Sequence, residues 1–170
     1  MNSVLVAGIG NVFKGDDGFG VAVAERLASS TLPAGVEVVD FGIRALDLVY
    51  ALRDGYRAAI LVDTVQRGAP PGTLYVIEPE PPTGADEANE VLLSPHEMDP
   101  DKVLRLATLL GGVCGRVILV GCEPESFGDD EFGAEGLSPS VAAAVGPAAA
   151  EIERLAQAFI EEPAFIEEMD

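Results

Sequence analysis

Histidine, cysteine and tryptophan are scarce in this sequence, with one, two and none among 170 residues. Cys114 and Cys122 form neither a CxxC pair nor a zinc-ribbon spacing, so the sequence predicts no disulfide framework and no structural zinc site. No apolar run approaches the length of a membrane span. No basic region precedes the short apolar run at the N-terminus, which argues against a signal peptide. A reduced protein of the cytoplasm is the expectation.

Basic residues are also few. Lys and Arg number 10 against 29 Asp and Glu, which gives a formal net charge of -19. A chain with this charge repels phosphate backbones and anionic lipid surfaces, so neither nucleic acid nor a membrane is expected as a partner. With 48% apolar residues the chain can bury one sizeable core. We predict a single domain over residues 1–161 and an acidic, fraying tail over residues 162–170.

Strand-like apolar runs alternate with helix-like segments along most of the chain. The predicted strands are 3–7, 36–39, 58–62 and 117–120, and the main predicted helices are about 17–30, 46–52, 99–110 and 139–161. The run 73–77 follows a short, glycine- and proline-rich connection, which favours an antiparallel strand there. This order predicts an α/β domain with three layers and a mostly parallel sheet.

Acidic residues stand at the carboxyl ends of the predicted strands. The glycine-rich stretch 8–20, GIGNVFKGDDGFG, follows the first strand and brings Asp16 and Asp17 to the start of the first helix. Asp40 and Asp63 end the second and third strands. Because parallel strands end at the same sheet edge, we expect Asp17, Asp40 and Asp63 to converge there. Asp16 is interpreted as the cap of the first helix.

A dinucleotide site is one alternative for the glycine-rich stretch. The turn superficially resembles a Rossmann fingerprint, but Phe13 stands where the third glycine of GxGxxG belongs. Two carboxylates at the start of the helix would also repel a pyrophosphate. Nucleotide binding is therefore disfavoured.

A metal site is the other alternative. Asp17, Asp63 and His96 offer two carboxylates and one imidazole, a set that suits nickel, zinc or cadmium and leaves coordination positions open. Each residue also has an ordinary structural explanation, as a helix cap, as an acceptor for loop amides, or as a surface histidine. A zinc protease of the HExxH type is excluded, because Pro100 replaces the second histidine after His96.

Several motifs together resemble those of the hydrogenase maturation endopeptidases. The stretch 8–20 is similar to the family's opening pattern GxGNxxxxD[DE]xxG. Further matching segments are Asp40-Phe41-Gly42, Val62-Asp63, Ser94-Pro95-His96, Gly121-Cys122-Glu123-Pro124 and Ser138-Pro139-Ser140. The resemblance spans residues 3–160.

This resemblance implies a phosphorylase/hydrolase-like α/β/α sandwich whose five-stranded sheet has one antiparallel strand. It implies that Asp17, Asp63 and His96 are the catalytic, metal-contacting residues, with Asp40 a weaker candidate beside them. The family cleaves a C-terminal extension from the large-subunit precursor of nickel-iron hydrogenases and recognises the nickel that the precursor carries. The implied partner is that precursor, and the implied enzyme is a monomer. A non-catalytic module that binds the same metallocentre is the alternative.

Overall fold

The structure is a computed structural model of the chain, and it describes residues 3–80, 99–113, 115–129 and 131–163. Within these ranges lie the strands β1 Val4–Ile9, β2 Val36–Gly42, β3 Ala58–Thr64, β4 Leu74–Ile77 and β5 Arg116–Cys122. The α-helices are α1 Phe19–Ala28, α2 Ala45–Leu52, α3 Pro100–Leu109 and α4 Pro139–Glu161. No helix in this part of the chain is long and apolar enough to cross a membrane.

The strands form one mixed sheet in the order β2-β1-β3-β5-β4. β1 pairs in parallel with β2 and β3, and β3 pairs in parallel with β5, whereas β4 runs antiparallel to β5. The continuous apolar runs of β1 and β3 are explained by their central position, because helices cover both of their faces. The predicted α/β fold and its antiparallel strand are confirmed.

Helices pack on both faces of the sheet because successive strand residues point to opposite sides. Val6 of β1 belongs to a buried cluster that contains Phe19 of α1 and Ile152 of α4. Its neighbour Leu5 belongs to a second cluster, on the other face, with Leu48 of α2. The two clusters form the two interfaces of a three-layer sandwich.

Several predicted boundaries are off by one to three residues, and two of them lie near the carboxyl ends of the first two strands. Helix α1 begins at Phe19 instead of Asp17, because Gly15–Gly18 forms a short 3-10 turn first. Strand β2 continues past Asp40 to Gly42, where it still pairs with β1. Residues 81–98, which include His96, lie outside the described residues, as does the tail from 164 onward.

Helix α1 lies against the strand backbone at Gly20. A Cβ atom added to Gly20 would lie 2.2 Å from the carbonyl oxygen of Val62 and 2.3 Å from that of Ile9. Both oxygens belong to the ends of central strands, which cannot shift without disturbing the sheet. Glycine at this position therefore allows α1 to start close to the strand ends.

We expect Gly20→Ala to lower the free energy of unfolding by about 1–3 kcal/mol or more, because the added methyl group overpacks a rigid contact. Gly146→Ala is the matched control, since a Cβ on this glycine of α4 would lie at an ordinary 3.5 Å from the Arg26 guanidinium. Alanine in a helix interior is favoured over glycine by about 0.5–1 kcal/mol, but Pro147 follows directly and disfavours a Cβ before it, so little net change is expected for Gly146→Ala. Urea unfolding measures both changes, and wild-type stability in Gly20→Ala would contradict the close approach.

Candidate active site

A cleft of about 1020 Å³ opens where the parallel strands end. Its walls come from the turn after β1, the ends of β2 and β3, the starts of α2 and α3, and the loop after β5. Asp17, Asp63 and Asp99 are among the residues that line it. The structure therefore brings two of the predicted site residues, Asp17 and Asp63, to one cleft.

Asp17 lies in the 3-10 turn and is half-buried. Its Oδ2 atom accepts a hydrogen bond of 2.8 Å from the amide of Asn11, which fixes the side chain to the turn that carries it. Gly10 lies so close that a Cβ there would be 1.8 Å from the carbonyl oxygen of Asp17. Gly10 also has a φ of 137°, which favours glycine. The glycine-rich turn thus shapes the backbone around Asp17.

Asp63 lies at the end of β3 and is only 6% exposed. Its Oδ1 atom accepts a 2.8 Å hydrogen bond from the amide of Thr64. Burial, followed by the negative charge of Asp17, raises the pKa of the Asp63 carboxyl well above its usual value. Asp99 raises the pKa further, while the Thr64 amide acts in the opposite direction. Ionised Asp63 is therefore in an unfavourable environment that a cation would improve.

Asp99 is a cleft residue that the sequence did not single out. It is the N-cap of α3, and its Oδ1 atom accepts a 2.9 Å hydrogen bond from the amide of Lys102. Pro100 follows at the first helical position. An Asp directly before a Pro at a helix start is a recognisable capping signal, so this side chain could have been placed from the sequence.

Two further predicted site residues, His96 and Asp40, are not found in this cluster within the described part of the chain. His96 lies outside the described part of the chain. Within the described ranges, no three His, Cys, Asp or Glu side chains are grouped to hold a metal ion. Asp40 is exposed on β2 and is not among the residues that line the cleft. The role of His96 remains a prediction.

Asp16 is not the cap of α1, so that prediction is wrong. The N-cap is Gly18, which makes no side-chain capping bond. The Asp16 carboxylate is fully buried and accepts hydrogen bonds from the amides of Glu125 and Ser126, at 2.8 and 3.0 Å. It also accepts from the amide and hydroxyl of Ser138, at 2.7 and 2.9 Å. Asp16 therefore ties the turn after β1 to the loop after β5 and to the start of α4.

Glu123, which directly follows β5, has a similar role. It is 6% exposed and accepts hydrogen bonds from the amides of Arg67 and Gly68 and from the hydroxyl of Tyr75. The hydrogen bond from the Arg67 amide is the main cause that lowers the pKa of Glu123. This carboxylate holds the turn between β3 and β4. The sequence identified Glu123 through the matching segment Gly121-Cys122-Glu123-Pro124, but it did not identify the residues that bond to Glu123.

The carboxylate-lined cleft lies at the carboxyl ends of the parallel strands, which is where open α/β sheets bind their ligands. The family model described as hydrogenase maturation protease matches residues 21–155 of this chain. The chain is 36% identical to the hydrogenase expression/formation protein HupD of Rhodobacter capsulatus, over 89% of this chain and 70% of that one. It is 31% identical to a putative hydrogenase maturation protease of Methanocaldococcus jannaschii, over 85% of this chain and 90% of that one.

Solved structures give the same result. The hydrogenase 2 maturation peptidase of a Thaumarchaeota archaeon is 32% identical, with a TM-score of 0.66, and the match covers 90% of this chain and 97% of that one. The hydrogenase maturating endopeptidase HybD of Escherichia coli is 25% identical, with a TM-score of 0.70 and coverage of 92% and 93%. This chain belongs to the hydrogenase maturation protease family, which confirms the resemblance and the enzyme class stated from the sequence.

The chain is shorter than some of these relatives. It spans 61% of the length of HoxM from Cupriavidus necator and 63% of that of HupD from Thiocapsa roseopersicina. The family model begins at residue 21, beyond the glycine-rich stretch.

The hydrogen bonds to Asp16 make its contribution to stability dependent on pH. Burial alone would raise the pKa of Asp16, but the four hydrogen bonds outweigh burial and lower it. A pKa that is lower in the folded than in the unfolded state stabilises the fold above the unfolded pKa, and this stabilisation is lost as the pH falls through the folded pKa. We expect Asp16→Asn to lower the free energy of unfolding by about 1.5–3 kcal/mol at neutral pH.

The difference between wild type and Asp16→Asn should shrink as the pH falls, because both side chains are then uncharged. Glu135→Gln is the matched control, as an exposed acid of the same loop. Denaturant unfolding at neutral and acid pH measures the effect. A stability difference that does not change with pH would contradict the assigned role of the ionised carboxylate.

The effect of Asp63 on the pH dependence of stability is opposite in sign to that of Asp16. Because the pKa of Asp63 is raised in the folded state, the free energy of unfolding falls as the pH rises from the unfolded pKa towards the folded one, and stays at the lower value above it. Asp63→Asn cannot ionise, so we expect it to be more thermostable than wild type at neutral pH and similar in acid. For a chain of this size, 1 kcal/mol corresponds to a shift of about 2–4 °C in Tm.

The control for this experiment is Asp54→Asn, which changes an exposed acid in the turn after α2. It should leave the Tm near that of wild type at both pH values. A Tm of Asp63→Asn below that of wild type at neutral pH would show that the buried carboxylate is stabilising, contrary to the present assignment.

Proposed function

We propose that this chain is an endopeptidase that removes the C-terminal extension from the large-subunit precursor of a nickel-iron hydrogenase after nickel has been inserted. Membership of the hydrogenase maturation protease family supports this activity. The enzyme acts as a monomer in the cytoplasm. It selects processing-ready substrate by the nickel ion that the precursor carries.

The observation that carries this proposal is the excess of negative charge around Asp63. A nine-tenths-buried carboxylate faces the charges of Asp17 and Asp99, and its pKa is raised as a result. A divalent cation beside Asp17 and Asp63 would offset this repulsion and stabilise both ionised carboxylates. A substrate that brings such a cation is therefore favoured over one that lacks it.

The residues assigned to contact the ion are Asp17, Asp63 and His96. Two carboxylate oxygens and one imidazole nitrogen form a mixed donor set that suits nickel, and zinc or cadmium as substitutes. Asp17 and Asp63 line the same cleft, and His96 is assigned from its motif. The precursor's own cysteines hold the ion, so the enzyme completes its coordination sphere without removing it.

The proposed chemistry is hydrolysis of one peptide bond. A water molecule, activated by the ion or by a carboxylate, adds to the carbonyl carbon of the scissile bond. Its proton passes to a carboxylate, the C–N bond breaks, and a proton is transferred to the leaving amine. Holding the ion fixes the extension beside Asp17 and Asp63, and such positioning can lower a barrier by up to about 7–11 kcal/mol.

We expect wild-type protein to shorten a nickel-loaded precursor and to leave the nickel-free precursor intact. Asp17→Asn, Asp63→Asn and His96→Ala should each slow cleavage by about 10²–10⁴-fold, because each removes a group that contacts the ion or moves a proton. Mass spectrometry of the precursor measures the product. Asp54→Asn serves as the control and should cleave at the wild-type rate.

The possible outcomes separate the alternatives. Equal cleavage of loaded and nickel-free precursor would contradict recognition through the ion. A stable complex with the loaded precursor, with no product at high protein concentration, would favour a metallocentre-binding module without catalysis. Full activity in His96→Ala would remove histidine from the assigned site.

A further inference from the structure

Three large apolar side chains at the edge of the cleft are exposed to solvent. Phe13, Ile43 and Phe132 all line the cleft, and they are 67%, 76% and 81% exposed. They come from three separate segments: the turn after β1, the connection between β2 and α2, and the loop after β5. We call these three residues the apolar rim. Single exposed apolar residues are common, but three at the edge of one cleft indicate an interaction site.

The backbone beneath Phe13 is fixed on both sides. Its amide donates a 2.9 Å hydrogen bond to the side-chain oxygen of Asn11. Its carbonyl oxygen accepts a 3.0 Å hydrogen bond from the amide of Ala134, in the loop after β5. A second hydrogen bond joins the two segments: the amide of Gly15 donates to the carbonyl oxygen of Ala134 at 2.8 Å. The turn that carries Phe13 is thus joined to the loop that carries Phe132.

The backbone beneath Phe132 is held by a tight turn. The Oδ1 atom of Asp129 accepts a 2.6 Å hydrogen bond from the amide of Phe132, and its carbonyl oxygen accepts one of 2.9 Å from Gly133. A Cβ on Gly133 would lie 2.2 Å from the carbonyl oxygen of Phe13, so glycine permits the two loops to touch. Both aromatic rings are therefore presented from a preformed frame, which reduces the entropy lost on binding.

Charge argues against several occupants of the apolar rim. The chain carries a net charge of -19, so a second copy would bring an equal negative charge against it. Nucleic acid and anionic lipid are disfavoured for the same reason. A different protein without a large negative charge avoids this penalty, and if a segment of it enters the cleft, its contact with the apolar rim is continuous with the cleft.

We propose that the apolar rim docks the folded body of the hydrogenase large-subunit precursor, next to the extension that enters the cleft. This inference rests on the proposed function. It divides recognition into two parts: Asp17 and Asp63 respond to the ion, whereas the apolar rim contributes affinity that does not depend on the ion. The enzyme therefore binds nickel-free precursor as well, without cleaving it.

The test uses the nickel-free large-subunit precursor as the probe, because it should bind without being consumed. Biolayer interferometry measures its affinity for wild type, Phe13→Ser and Phe132→Ser. We expect each variant to bind about tenfold more weakly, because each loses a large apolar side chain that the precursor would bury. Val76→Ser is the matched control: Val76 is 50% exposed on β4 and does not line the cleft. It should bind like wild type.

The same variants should cleave nickel-loaded precursor more slowly at limiting concentration and recover as the precursor concentration rises. Thermal unfolding checks that they fold, which is expected for exposed side chains.

Unchanged affinity in both Phe variants, with normal wild-type cleavage, would overturn the docking role and leave the proposed function standing. Failure of wild type to bind nickel-free precursor would also overturn the docking role and leave the proposed function standing. Failure of wild type to cleave loaded precursor would instead overturn the proposed function. A wild-type dimer that becomes monomeric in the Phe variants would identify a second copy as the occupant and overturn the proposal.

Discussion

The buried carboxylate of Asp16 is the constraint on which the site depends. Four hydrogen bonds converge on it from the loop after β5 and from the first residues at α4. Because Asp16 and Asp17 are neighbours in the same 3-10 turn, the contacts that fix Asp16 also fix the position of Asp17 relative to that loop. The hydrogen bonds to Asp16 therefore hold both the cleft wall and Asp17, the candidate catalytic acid.

The paired acids of the opening motif have opposite environments for this reason. Asp16 faces donors only, so its negative charge is stabilised where it lies. Asp17 faces the cleft, where its charge adds to the repulsion on Asp63. One acid thus contributes to the stability of the fold, and the other adds negative charge beside a buried carboxylate. Such a division is typical of functional sites, where stability is reduced locally.

Much of the fold could be predicted from the sequence, because strand runs, glycine turns and helix starts are local signals. The apolar runs of β1 and β3 indicate strands, and the short connection before β4 indicates an antiparallel strand. The partners of Asp16 could not be predicted, since they lie 109 to 122 residues away along the chain. The same holds for Glu123, whose partners lie 48 to 56 residues away.

The amides of the glycine-rich turn also argue against a phosphate loop at this position. A phosphate loop needs backbone N–H groups that point at the ligand. Here most amides of this turn donate to acceptors within the protein. Gly10 donates to Gly42, Asn11 to Asp17, Phe13 and Lys14 to Asn11, Gly15 to Ala134, and Asp16 to Ser126. Phe13 in place of the third glycine and the charge of the acid pair already disfavour a phosphate, and the amides that donate within the protein disfavour it further. The turn's glycines allow close packing of the backbone, and this packing presents the Asp17 carboxylate to the cleft.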